Sequence, residues 1–201
     1  MADVAIVDYG VGNLRSVEKA FAAAGHTATV TGAQNELHEA KRLVLPGVGA
    51  FAACMDALRA HDLVDLVIER VEEGTPLLGV CVGMQMLFDE SEEFGRTNGL
   101  RLVRGRVRRF NGDLIVPQVG WNRIHQRQAH PLFSGVEDDS FCYFVHSFFC
   151  EPEDDEVVVG STEYGVNYAS VIAQGNLCGV QFHPEKSQTV GLRMLANFAR
   201  L

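Results

Sequence analysis

The spacing of hydrophobic positions changes along the chain. Val4–Val7 is an unbroken apolar run, as are Leu43-Val44-Leu45 and Leu77-Leu78-Gly79-Val80; strands buried on both faces read this way. Between these runs the period lengthens. Leu14, Val17, Phe21 and Ala24 recur on one helical face, and Gly25 ends it. A strand is expected at 27–30, a weaker helical stretch after it, and helices at 51–60 and 62–73. Such alternation predicts βαβ units on a parallel sheet.

Past residue 100 the texture is different. Short β-like runs at 106–110, 114–119, 140–146, 156–160, 169–173 and 177–182 are separated by Gly, Asn and acidic turns. They predict antiparallel strands added to the edge or face of the first sheet. The acidic run 151–156 predicts a solvated loop. Val190, Met194, Leu195, Phe198 and Leu201 share one face of a closing helix. No repeat or linker intervenes, so residues 1–201 read as a single α/β domain with a parallel core, added antiparallel strands and flanking helices.

Composition narrows the function classes. With 47% hydrophobic and 21% charged residues, the chain is neither disordered nor low-complexity. Its net charge of -9 repels phosphate backbones and anionic lipid, which argues against a nucleic-acid or membrane partner. The five cysteines (54, 81, 142, 150 and 178) are odd in number, contain no CxxC pair and have no His at zinc-finger spacing. Neither a disulfide framework nor a structural metal is expected. Residues 1–8 carry no basic start and read as a first strand, not a leader. No apolar run approaches the roughly 20 residues that span a bilayer. The expected setting is a reduced cytoplasm.

Four short motifs remain. Gly10-Val11-Gly12 lacks a third glycine, because Arg15 stands there, and no acid closes the second strand; a plain strand-to-helix turn is the better reading than a dinucleotide site. Gly79-Val80-Cys81-Val82-Gly83 has the form of a nucleophile elbow with Cys as nucleophile, between a buried strand and an amphipathic helix bearing Met84, Leu87 and Phe88. A sharp turn would expose the Cys81 side chain, and the helix N-terminus would favour its thiolate and offer N–H groups to an oxyanion. A buried structural cysteine is the plainer alternative. Gln181-Phe182-His183-Pro184-Glu185 ends another apolar strand, where His183 and Glu185, two apart, would share a side. A thiol needs a base, and the base needs an orienting group. Pro46-Gly47-Val48-Gly49 follows a parallel strand, where loops line a ligand crevice. Of the other histidines, 26, 38, 61, 125 and 130 sit in polar contexts and read as surface residues.

Taken together these residues resemble the class I (triad) glutamine amidotransferases, with a Cys elbow early and His-x-Glu late on a flavodoxin-like fold. The resemblance covers essentially the whole chain. It is nearest to the histidine-biosynthetic branch, through Asp8-Tyr9-Gly10-Val11-Gly12-Asn13, Gly120-Trp121-Asn122 and Tyr143-Phe144-Val145-His146-Ser147. It implies a Cys81 nucleophile, a His183 base and acid, and Glu185 orienting His183. Backbone N–H groups of Val82, Val48 and Gly49 would hold the oxyanion. Gly47, Gln85, Glu93, His146 and Ser147 would hold L-glutamine, and Asn13, Trp121, Asn122 and Lys186 would face a partner. That partner would be a separate (β/α)8 cyclase subunit that receives ammonia. Neither a cofactor nor a metal is implied. The segment 46–49 would act as a switch, since a peptide flanked by glycines rotates cheaply. Val82, Gln118 and Phe148 depart from the common pattern, which touches partner geometry more than chemistry. Two rival readings stay open: a triad glutaminase serving pyridoxal phosphate or aminobenzoate synthesis, and a non-enzymatic protein that keeps the elbow as a fossil.

Overall fold

The unbroken apolar runs become the centre of a large sheet. A computed structural model describes residues 3–112 and 114–201; Met1 and Ala2, at the start of the expected opening strand, lie outside them. In chain order the first half comprises β1 (Val4–Val7), α1 (Leu14–Ala23), β2 (Ala28–Thr31), α2 (Gln34–Glu39), β3 (Leu43–Gly47), α3 (Phe51–Ala60), α4 (Val64–Glu72), β4 (Leu77–Cys81) and α5 (Val82–Gln85). Then come β5 (Phe88–Ser91), β6 (Thr97–Asn98), β7 (Val103–Arg109), β8 (Gln118–Gln126), β9 (Ser140–His146), β10 (Phe148–Pro152), β11 (Val158–Glu163), β12 (Asn167–Gln174), β13 (Leu177–Val180) and α6 (Gln188–Phe198).

The order β2-β1-β3-β4-β13 is parallel throughout, the doubly wound flavodoxin-like arrangement. Every residue of β1, β3, β4 and β13 is buried, because helices cover both faces. Burying one large apolar side chain there contributes ~1.5–3 kcal/mol. The helices obey their predicted period: α1 buries Val17, Ala20 and Phe21, and α4 buries Leu66, Val67 and Val71. From β13 the sheet continues antiparallel through β12, β10 and β7, and β11, β8 and β9 branch off β12. The fold is therefore the mixed α/β sheet expected.

Several local expectations are corrected. The helix after Cys81 is a single turn, and Phe88 already lies in β5. The run expected at 114–119 becomes a strand only from Gln118 and then continues to Gln126. The acidic stretch is no free loop: Glu151 belongs to β10 and bridges Arg106 and Arg108 of β7. Leu201 lies past the end of α6 and is exposed.

The register of three strands positions the site. Gly47 of β3 pairs with Cys81 of β4, and Val80 pairs with Val180 of β13 on the other side. The C-terminal ends of β3, β4 and β13 thus finish side by side, where ligands bind in open parallel sheets.

Candidate active site

Cys81 is the hinge of this arrangement. It caps α5 with φ +55° and ψ -114°, a conformation that L residues rarely adopt. The flanking glycines are required by space. A Cβ at Gly83 would lie 1.8 Å from the Leu45 carbonyl, and one at Gly79 would lie 2.7 Å from the Met84 α-carbon. Without side chains at these positions, β3, β4 and α5 pack closely enough to hold the strained turn.

His183 stands three residues past the end of β13, in a loop anchored at both ends. Its N–H donates to the Tyr143 carbonyl, and its carbonyl accepts from the Ser187 hydroxyl, which in turn accepts from the Tyr143 N–H. The ring's Nδ1 lies 2.9 Å from Glu185 Oε1, and the ring shares the wall of one crevice with the Cys81 sulfur. Cys81 and His183 are both buried. Burial alone would lower the His183 pKa. The Cys81 sulfur and the Glu185 carboxylate outweigh it and raise the value to about 10, so the ring is an imidazolium at neutral pH. The other Glu185 oxygen is buried without a hydrogen-bond partner, which leaves the carboxylate directed at His183.

A crevice of about 380 Å³ opens over this pair. Val48, Gly49, Cys81, Val82, Gln85 and Glu93 form one part of its wall. His146, Ser147, His183 and Lys186 are among its other lining residues. Of the residues expected to hold the substrate, Gly47 is not brought to the wall. It packs behind the elbow, where a Cβ would lie 2.6 Å from the Gly83 nitrogen. The Gln85 amide donates to the Phe148 carbonyl and to Gln181. A Glu93 oxygen accepts from the Phe51 N–H at the start of α3. Both His146 nitrogens are engaged, Nδ1 with the Phe148 carbonyl at 2.8 Å and Nε2 with the Tyr168 hydroxyl. Burial pulls the His146 pKa down to about 4, so it lines the crevice as a neutral ring.

Gln181 is the residue that sequence reasoning passed over. It is fully buried, accepts from Gln85 and presents its amide nitrogen to the Cys81 sulfur at 3.9 Å. A signal was available, since alternation along an extended segment puts Gln181 and His183 on one side.

Three comparisons relate the whole chain to known proteins. The family model for glutamine amidotransferase class-I matches residues 5–201. The chain belongs to the class-I glutamine amidotransferases. It is an enzyme of that class, and the elbow, imidazole and carboxylate described above sit within the matched residues. Similar proteins include "Imidazole glycerol phosphate synthase subunit HisH" of Syntrophotalea carbinolica, 48% identical over 97% of this chain and 98% of the relative. The protein of the same name from Moorella thermoacetica is 47% identical over 100% of this chain and 96% of its own length. Among solved structures, "Crystal structure of glutamine amidotransferase" superposes with a TM-score of 0.78 at 21% identity over the whole of both chains. "Structure of PurLQS from Thermotoga maritima" does so at 0.75 and 18% identity, over 99% of this chain and 96% of that one. At those identities the structures speak for the fold alone.

The residues expected to face a partner are placed unevenly. Lys186 is exposed at the crevice, with its ammonium 5.7 Å above the Tyr143 ring. Trp121 is exposed and stands edge-on to the same ring. Asn122 spends its amide internally, on the Glu163 carbonyl and the Arg123 N–H. Asn13 begins α1 without a side-chain capping bond. Among the described residues, no helix is long and apolar enough to cross a membrane.

Proposed function

We propose that this chain is the glutaminase subunit of imidazole glycerol phosphate synthase and that residues 1–201 act as one glutamine amidotransferase domain. The observation that carries the chemistry is the Cys81–His183–Glu185 arrangement at the ends of adjacent strands. Full-length relatives near 45–48% identity that bear the synthase-subunit name support the choice within the family. The Cys81 sulfur attacks the side-chain carboxamide of L-glutamine. N–H groups of Val82 and of the 48–49 segment hold the oxyanion, and His183, kept oriented by Glu185, gives its proton to the departing ammonia. Water then hydrolyses the glutamyl thioester to glutamate. Gln85, Glu93 and Ser147 hold the rest of the substrate, and His146 stiffens the wall behind them.

Ammonia passes to a (β/α)8 cyclase subunit, which converts PRFAR to imidazole glycerol phosphate and AICAR. A docking face is at hand: Val119, Trp121 and Phe141 are exposed on the β8–β9 hairpin, next to Tyr143 and Lys186 at the crevice. Apolar side chains grouped in this way mark interaction surfaces. Five free, buried thiols suit the reduced cytoplasm expected from the sequence.

The test uses Cys81→Ala in the complex with the cyclase. Glutamine-dependent synthesis should be lost while synthesis from added ammonium salt survives, since only ammonia generation needs the thiol. Loss of both activities, or of neither, would overturn the assignment.

A further inference from the structure

Two proton-bearing side chains that the chemistry above does not use lie beneath the 46–49 segment. Tyr9, in the turn after β1, donates its hydroxyl to the Pro46 carbonyl at 2.5 Å. Cys54, on α3, donates its thiol to the Val48 carbonyl at 3.3 Å. Both side chains are wholly buried. Burial pushes both groups up from their ordinary values, so each keeps its proton and acts as a donor.

A trans peptide points its C=O and N–H in opposite directions. A Val48 carbonyl drawn inward to Cys54 therefore turns the Gly49 N–H outward, towards the side on which Gly49 walls the crevice beside Cys81. A Pro46 carbonyl drawn to Tyr9 fixes the Pro46–Gly47 peptide, where Gly47 abuts the backbone of Val82 and Gly83. The Gly47–Val48 peptide is thus held at both ends.

We infer that Tyr9 and Cys54 are positioning residues for glutamine hydrolysis: their hydrogen bonds to the carbonyls of Pro46 and Val48 aim the backbone N–H groups of the 48–49 segment at the oxygen that gains charge in the reaction. The inference rests on the glutaminase reading and adds two residues to it, neither of which touches the substrate. A donor that is misaimed weakens stabilisation only where charge develops, so kcat suffers and KM does not. Losing one oxyanion donor outright costs about 10²–10³ in kcat; loosening its support should cost about tenfold.

The experiment measures steady-state glutamine hydrolysis by the full chain, alone and in complex with the cyclase subunit. Cys54→Ala should lower kcat about tenfold and leave KM within about twofold. Cys54→Ser, which restores a donor in nearly the same volume, should recover most of that rate. Tyr9→Phe, which removes only the hydroxyl, should lower kcat in the same way. Thermal midpoints of the variants separate this role from simple packing, which would lower Tm and spare kcat. Unchanged kcat in Cys54→Ala or Tyr9→Phe, or a Cys54→Ser enzyme as slow as Cys54→Ala, would overturn the inference. A wild-type chain that hydrolysed no glutamine in either setting would instead sink the parent reading.

Discussion

At the scale of single residues, His183 has two tasks. It must stand beside the sulfur during attack and then deliver a proton to a poor leaving group. The Cys81 and Glu185 contacts that raise its pKa to about 10 against the effect of burial supply that proton. Glu185→Gln keeps the size and removes the charge. It should lower kcat for glutamine hydrolysis by about 10² or more, with KM little changed, because the ring loses both its orientation and its stabilised cation. Steady-state kinetics decide the point, and a kcat within about twofold of wild type would refute it. The thiols offer a second test. Burial pushes Cys142 and Cys178 up to about 12 and Cys150 well above its usual value, so these three remain protonated. Cys54 is raised as well. A glutamine-analogue alkylator should therefore label Cys81 first, as read by mass mapping of the modified peptides. Comparable labelling at several cysteines would count against a nucleophilic Cys81.

At the scale of elements, catalytic geometry depends on backbones that approach unusually closely. The turn carrying Glu185, residues Pro184–Lys186, leans on α6 at Gly191, where a Cβ would lie 1.9 Å from the Pro184 carbonyl. Gly191→Ala must push that helix and the His183 loop apart. A displacement of about 1 Å can cost about 10² in rate. The variant should retain its helical content by circular dichroism and lose turnover about a hundredfold; turnover close to wild type would show that the contact can relax. Such contacts explain what was legible in the sequence and what was not. The parallel strands and α1, α3, α4 and α6 could be read because burial imposes a strict period on them. The helix after Cys81 could not, since Met84, Leu87 and Phe88 fit a helical face as well as they fit one turn followed by a strand. The extent of β8 was hidden because Val119, Trp121 and Arg123 face solvent, so apolar alternation no longer marks the strand's buried side. The triad was readable from Gly79, Gly83 and the His183-x-Glu185 spacing. The Gln181 contact to Cys81 and the burial of Gly47 behind the elbow depend on register across strands, which a single sequence does not display.

At the scale of the whole molecule, the same two histidines set a pH window for stability. Far from its unfolded value of 6.5, folded His183 titrates at about 10, so the native state holds a proton that the unfolded chain has released. Its contribution is complete below pH 6.5 and is lost as pH rises towards 10. His146 behaves in the opposite sense. Burial and the nearby His183 charge outweigh the Phe148 carbonyl and lower its value to about 4, so the native state refuses a proton that the unfolded chain accepts. That contribution is complete above pH 6.5 and fades as pH falls towards 4. Exposed pairs such as Arg127–Asp155 are screened by solvent and add little to either limb. Stability should therefore peak near pH 6.5 and decline on both sides, for reasons that single substitutions can separate. Urea midpoints measured from pH 4 to about pH 8, short of the range in which unfolded thiols ionise, should show a flatter alkaline limb for His183→Gln and a flatter acid limb for His146→Gln. His146→Gln should leave the alkaline limb in place, whereas His183→Gln removes a charge that helps lower the His146 value and should slightly flatten the acid limb as well. Curves that keep the wild-type shape in both variants would show that the pH response arises elsewhere in the molecule. Flattening mainly of the expected limb would tie the alkaline limb to the imidazolium that catalysis needs, and the acid limb to the neutral ring that lines the crevice.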